Sequence, residues 1–445
     1  MGIGLLRRDP ALPGQISRVW KLSIPAILTQ ITSIVMQYID SAMVGGLGAG
    51  ASAAVGLVAS STWLFNGIGI AIATGFSVQV AQYIGADKPG DARRVVKHGL
   101  LAAFVISLIL MGLGMAISGK LPQWLGAEKV LWKDSAVYFF VYSCSLPFLQ
   151  MNRLTSAFLQ CSGNMVVPSI LNAVMCLLDV VFNALLIPRY GVLGAALGTA
   201  LSVVAVSLFL LWFSCLHWES LRLNRKEPCA VDFSILTRAL RIGFPIGLEE
   251  TVMCAAMVVS TAIIAPLGSV AIAAHSFAIT AEALCYMPGY GLGAAATTLV
   301  GQSVGACDYK GARRMGGIAV TMGAVMMGCT GLVMYGICPW VFRLLTPVAE
   351  VQELAAQVLR IGLIAEPLFG VSIVASGALR GAEDTLVPSI LHLLSMWVVR
   401  LGLSVILVGP LGLSGVWIAM AVELCIRGLM MLLRQIKSPY LKEKC

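Results

Sequence analysis

A chain that repeats itself in register folds as two copies of one unit, and this one does so over most of its length. Pro25, Gln82, Gly85, Ala86, Arg93, Arg94, Pro147, Pro168 and Ser169 recur as Pro245, Gln302, Gly305, Ala306, Arg313, Arg314, Pro367, Pro388 and Ser389, each 220 positions later (245 − 25 = 220). The block VPSIL at 167–171 returns at 387–391. Identities held in one register over that distance mark an internal duplication.

Composition says where the duplicated unit sits. Of 445 residues, 58% are hydrophobic and 11% charged, with a mean hydropathy of +0.90, whereas about a quarter of a soluble domain is charged. Runs of about 20 apolar residues, enough to cross ~30 Å of hydrocarbon, are expected at 22–45, 53–80, 99–118, 135–158, 168–188 and 193–215 in the first half. Those of the second half are expected at 242–265, 270–300, 316–338, 355–379, 387–408 and 412–433. The expected fold is therefore an all-α polytopic membrane protein of twelve transmembrane helices. Six helices per half is an even number, so the second copy enters from the same side as the first. Two parallel six-helix lobes, related by a pseudo-two-fold axis along the membrane normal, follow. The lobes are expected at 15–215 and 242–436, joined by a polar cytoplasmic linker at 216–241.

Lys and Arg are retained on the cytoplasmic side of a membrane. With the N-terminus inside, Lys88, Arg93, Arg94, Lys97, Arg225, Lys226, Arg238, Arg241, Lys310, Arg313, Arg314, Lys442 and Lys444 are all cytoplasmic, and few basic residues fall outside. Both termini are expected to be cytoplasmic. The net charge of +9 is accounted for by this asymmetry and by anionic lipid heads, and gives no reason to invoke nucleic acid. The Cys residues are scattered singly, with neither a C-x-x-C nor a metal-ligand spacing. Without H-E-x-x-H, G-x-S-x-G or a P-loop sequence, enzymatic activity is not supported.

An ionisable side chain at membrane depth costs at least ~2.5–3.5 kcal/mol and is a functional candidate by default. Asp40, Asp179, Glu249, Glu250, Glu282, Glu366, Arg400 and Glu423 are such residues. In the 220 register Asp40 and Asp179 stand opposite Ser260 and Val399, while Glu282 and Arg400 stand opposite Thr62 and Val180. The frame is symmetric and the charges are not, so the two lobes are expected to do different work. On the fifth helix, Asn172, Cys176, Asp179 and Asn183 follow at steps of four, three and four and share a face. Asp40 on the first helix and Thr199 on the sixth are expected to join them. Two carboxylates, an amide and a hydroxyl suit a hard cation such as Na⁺, and the same set can hold a proton. In the second lobe Glu282, Glu250, Glu366 and His275 are the substrate-binding candidates, with Glu366 alternatively paired to Arg400.

The stretches YIDSAMVGGLG (38–48), CYMPGYGLGAAATTLVGQSVGA (285–306) and GALRGAEDTLVP (377–388), with a degenerate copy of the last, AFLQCSGNMVVP, at 157–168, resemble multidrug and toxic compound extrusion (MATE) transporters. The resemblance implies a secondary efflux pump in a bacterial plasma (inner) membrane. It would act as a monomer without cofactor, exporting amphipathic, cationic organic compounds by antiport with H⁺ or Na⁺. It matches Asp40 to the acidic residue of the family's first helix and Thr199 to a sixth-helix hydroxyl of its ion site. Many relatives read Asn then Asp four residues later on the fifth helix; here Asp179 precedes Asn183. The alternative within transport is a flippase for lipid-linked saccharide or peptidoglycan precursors, for which a more basic central cavity is expected.

Overall fold

The computed structural model describes residues 12–223 and 232–438. Within them the chain is helical throughout. The first half runs α1 (Leu12–Gly45), α2 (Ala49–Gly85), α3 (Pro89–Ser118), α4 (Trp132–Cys161), α5 (Val166–Tyr190) and α6 (Val192–Trp212). The second runs α7 (Phe233–Ile264), α8 (Ser269–Gly305), α9 (Tyr309–Leu345) and α10, a pair of segments (Ala349–Leu363 and Glu366–Gly381) bent by 56°. Last comes one continuous stretch, Leu386–Lys437. Gly412, at φ 57° and ψ −137°, breaks that stretch into α11 before it and α12 after it. Nine of the described helices are long and apolar enough to span a membrane as they stand. The bent pair, the division at Gly412 and the more polar 30-residue α4 bring the spans to twelve. Residues 224–231, the middle of the expected linker with Arg225 and Lys226, lie outside the described residues, as do Lys442 and Lys444.

The duplication is written in the backbone. Left-handed φ values recur 220 positions apart at Gly48 and Gly268 (111° and 95°), Asp87 and Cys307 (56° and 58°), and Gly163 and Glu383 (92° and 65°). The next pair, Gly191 and Gly412 (58° and 57°), is 221 apart (412 − 191 = 221). One residue has therefore been added between 383 and 412, and α11 contains the device that absorbs it: the π-helical turn Ser395–Leu401, in which an i→i+5 bond accommodates an extra residue without breaking the helix. Past that turn the register is 221. Asp179 then stands opposite Arg400, not Val399, and Asn183 opposite Ser404; all four are buried. This corrects the pairing read from the sequence, which carried the 220 register past 391 although Gly191 and Gly194 recur as Gly412 and Gly415, 221 positions later (412 − 191 = 221).

The described chain divides into two compact units, and the division does not follow the repeat. Residues 31–247 form one; the described part of Met1–Gln30 with Leu248–Cys445 forms the other. The start of α7 thus packs in the unit of the first half. A Cβ on Gly75 would lie 2.5 Å from the carbonyl oxygen of Ala239, and one on Gly243 the same distance from that of Ala71. Gln79 Nε2 donates to the Ile235 carbonyl at 3.2 Å. The start of α1 packs in the other unit, where a Cβ on Gly291 of α8 would come within 2.6 Å of Ile27 N. Small residues let helix backbones approach where lipid offers no hydrophobic drive for association. In each unit a second helix closes on the first helix of the other half.

Candidate functional site

In the unit formed by residues 31–247, α1 and α5 bring Asp40, Asp179 and Asn183 together. Asn183 Nδ2 donates one hydrogen to Asp40 Oδ1 at 2.8 Å and the other to Asp179 Oδ2 at 3.1 Å. A primary amide has two N–H donors, so both are used to hold two carboxylates on either side of one nitrogen. Asp179 and Asn183 are buried, at 0% and 1% exposure, while Asp40 is half-buried. Asp179 Oδ1 and Asn183 Oδ1 have no hydrogen-bond partner. Two buried acceptors facing no donor are costly unless something fills the gap. Tyr138 of α4 lies within electrostatic reach of both carboxylates.

The amide has room because α6 passes it at Gly198. A Cβ there would lie 2.1 Å from Asn183 Oδ1. Thr199, the next residue, gives its hydroxyl to the Ala195 carbonyl at 3.2 Å, so its bond runs along α6 and not to the carboxylates. Asn172, two turns before Asp179, donates to Ser33 Oγ at 3.0 Å. Gly198 escaped the sequence reading because its contribution is the lack of a side chain.

In the other unit the second-half candidates separate into two groups. Glu366 is 1% exposed and neither of its carboxyl oxygens has a partner; Glu282 is 5% exposed with Oε1 unpartnered. Gly331 of α9 makes space for Glu366, whose Cβ and Cγ would lie 3.1 Å from a Cβ placed there. The expected pairing of Glu366 with Arg400 does not form. Arg400 directs Nη2 to the thioether of Met420 at 2.8 Å and leaves Nε unpartnered.

The second group is a network that the sequence did not reveal. Of the adjacent acids on α7, Glu249 is buried and Glu250 half-buried. Glu249 accepts from Ser389 Oγ at 2.6 Å, lies 3.6 Å from Arg380 Nη2, and bonds His392 Nδ1. His392 Nε2 in turn meets Arg427 Nη1. Arg427 Nε lies 3.2 Å from Glu423 Oε1, which also accepts from Ser395 Oγ at 2.8 Å. His275 stands apart from both groups: Trp417 Nε1 donates to its Nδ1 at 3.2 Å, with the rings edge to face at 5.9 Å. Among the described residues no cluster of three or more His, Cys, Asp or Glu has the arrangement of a metal centre.

A family model described as MatE matches residues 25–185 and 245–406, one match in each half. The chain belongs to the MatE family. Curated relatives are similar along nearly the whole length. The multidrug resistance protein NorM of Burkholderia vietnamiensis is 27% identical over 443 residues, 94% of each chain. NorM of Photobacterium profundum is 26% identical over 434 residues, 93% of each chain. MdtK of Edwardsiella ictaluri is 26% identical over 436 residues, again 93% of each. Among solved structures, a MATE crystal structure in the straight conformation superposes with a TM-score of 0.93 at 22% identity, covering 100% of this chain and 99% of that one. A MATE structure in the bent conformation gives 0.89 at 22%, covering 98% and 96%. These likenesses establish the two-lobe, twelve-helix MATE fold. The protein is a multi-pass membrane transporter and not an enzyme.

Proposed function

We propose that this MATE protein is a secondary active exporter that couples outward movement of amphipathic, cationic organic compounds to inward movement of H⁺ or Na⁺. Asp40, Asp179 and Asn183 form the coupling site. The observation that carries this reading is the single Asn183 amide shared between two carboxylates, with two buried oxygens beside it that lack a donor. A proton shared within that set, or a monovalent cation on its free oxygens, removes one negative charge from a low-dielectric site. Loss of the proton or cation restores the repulsion between the carboxylates. Thr199 is kept in the proposal as a hydroxyl that joins when its bond along α6 is exchanged for one to the ion.

The cationic character of the cargo is supported by Glu282 and Glu366, buried acidic side chains with three carboxyl oxygens that lack a hydrogen-bond partner, since a charge in a low-dielectric cavity selects its opposite far more strongly than in water. The multidrug names of the bacterial relatives support small organic cargo and a plasma-membrane location. The basic loops support a cytoplasmic location for both termini, and the two lobes of one chain are proposed to suffice as a monomer. The test is efflux from proteoliposomes under a pH gradient and a Na⁺ gradient imposed separately, across cationic, anionic and neutral compounds. Gradient-driven export of the cations by at least one ion is the expected result. Transport indifferent to both gradients would overturn the coupling.

A further inference from the structure

The two units divide within α1 after Gln30 and within α7 after Gly247. Just beyond each division, the fifth helix of that half pins the crossing helix from the same repeat position. Asn172 holds Ser33 of α1; His392, its counterpart 220 residues later, holds Glu249 of α7. One pin is a neutral amide on a hydroxyl. The other is an imidazole between a carboxylate and a guanidinium.

Arginine has no acceptor, so in the His392–Arg427 contact the ring nitrogen Nε2 must accept. The ring proton of the neutral imidazole is then on Nδ1, where it is donated to the Glu249 carboxylate. The groups facing this pair are Glu249 and Glu250 from α7, Glu282 and Tyr290 from α8, Arg380 from α10, Ser389, Ser395 and Arg400 from α11, and Glu423 and Arg427 from α12. With His392 neutral, the groups bonded or paired within the clamp are two acids, Glu249 and Glu423, and two guanidiniums, Arg380 and Arg427. The pin is therefore closed and depends on an unprotonated Nε2.

We propose that His392 is a proton-binding site separate from the Asp40 site, and that protonation there opens the clamp on α7 formed by Glu249, His392 and Arg427. The proton enters on the Nε2 lone pair, which then becomes a donor facing the donors of Arg427. The two cannot bond. Arg427 turns wholly to Glu423, which already lies 3.2 Å from its Nε, and α11 separates from α12 at this level. The closed clamp is thus present at high pH and lost as pH falls. The proposal needs neither the identity of the cargo nor the direction of transport.

His392→Asn separates the proton from the packing. The Asn carboxamide keeps the donation to Glu249 from Nδ2, at the place of the ring's Nδ1, offers Oδ1 as an acceptor on the other side, and does not titrate. Hydrogen exchange of the full chain in nanodiscs, without substrate or gradient, is compared at about pH 8 and about pH 5.5, corrected for intrinsic rate. Peptides from residues 248–264 are expected to lose protection roughly tenfold on acidification in the wild type and less than about twofold in His392→Asn. An equal response in both proteins, or none in the wild type, overturns the proposal. Should the variant fail to assemble, ¹⁵N-histidine spectra of the wild type decide, since the chain has only four His. A neutral Nδ1–H ring that becomes imidazolium over the range in which α7 loosens supports the site; a ring that stays neutral or stays charged throughout overturns it. Neither measurement depends on antiport, so a failure of the coupling reading leaves this result standing.

Discussion

Gly198 of α6 faces the carboxamide of Asn183 so closely that a Cβ on it would stand 2.1 Å from Oδ1. The amide can lie between Asp40 and Asp179 only because that Cβ is missing. Gly198→Ala is expected to push Asn183 out of its bridge, with an overpacking cost of about 1–3 kcal/mol. Thermal unfolding and gradient-driven efflux, measured together, check this. Efflux should fall by more than the loss of folded protein explains.

Asp40, Asp179 and Asn183 share their hydrogen bonds, so their substitutions are expected not to add. Asp40→Asn with Asp179→Asn should be scarcely worse in coupled transport than either alone. The exchange Asp179→Asn with Asn183→Asp keeps charge and ligand count, and should recover part of what Asp179→Asn loses. Initial efflux rates of the four variants at matched expression provide the comparison; two losses that multiply would place Asp179 in a separate contact.

Two buried glutamates of the second half should respond in opposite ways to removal of charge. Glu366 has no partner to lose, so Glu366→Gln relieves a desolvated charge and should leave the melting temperature unchanged or raised, while weakening binding of cations relative to neutral compounds. Glu423 is bonded to Ser395 and paired with Arg427. Glu423→Gln should cost about 3–5 kcal/mol by stranding a buried guanidinium. Melting curves of both variants, with cation and neutral-ligand titrations of the first, test the contrast.

Much of this was legible in the sequence because membrane folds are written in long apolar runs and in repeats. The twelve spans, the polar face through Asn172, Asp179 and Asn183, and the presence of ionisable residues such as Glu282 and Glu366 at membrane depth can be read without coordinates. What escaped has particular causes. Gly198 acts by absence. The added residue in Ser395–Leu401 is marked in the sequence only by the later glycine pair, Gly191 and Gly194 against Gly412 and Gly415, yet it decides that Arg400 and not Val399 stands opposite Asp179. The network through Glu249, His392 and Arg427 joins α7 to two helices that begin more than a hundred residues later in the chain, and no spacing rule couples them. The allotment of residues 12–30 and 233–247 to the unit of the opposite half depends on close glycine contacts such as those at Gly75, Gly243 and Gly291.

Cys307 is exposed in the turn after α8, with a left-handed backbone matched by Asp87 after α2. If the halves are parallel and both turns are cytoplasmic, Cys307 and a cysteine introduced at Asp87, each alone in a chain otherwise cleared of reactive thiols, should be labelled by an impermeant maleimide only from the cytoplasmic side. Labelling from opposite sides would contradict the parallel arrangement.

The central claim is that Asp40 carries the coupling ion, and the most direct measurement is a comparison of two modes of transport by Asp40→Asn in proteoliposomes. Counterflow exchange of a labelled cationic substrate needs binding and reorientation but no gradient; uphill efflux needs the ion as well. The variant is predicted to retain counterflow while losing efflux driven by whichever of the pH or Na⁺ gradients drives the wild type. Gradient-driven efflux by Asp40→Asn at the wild-type rate would contradict the account.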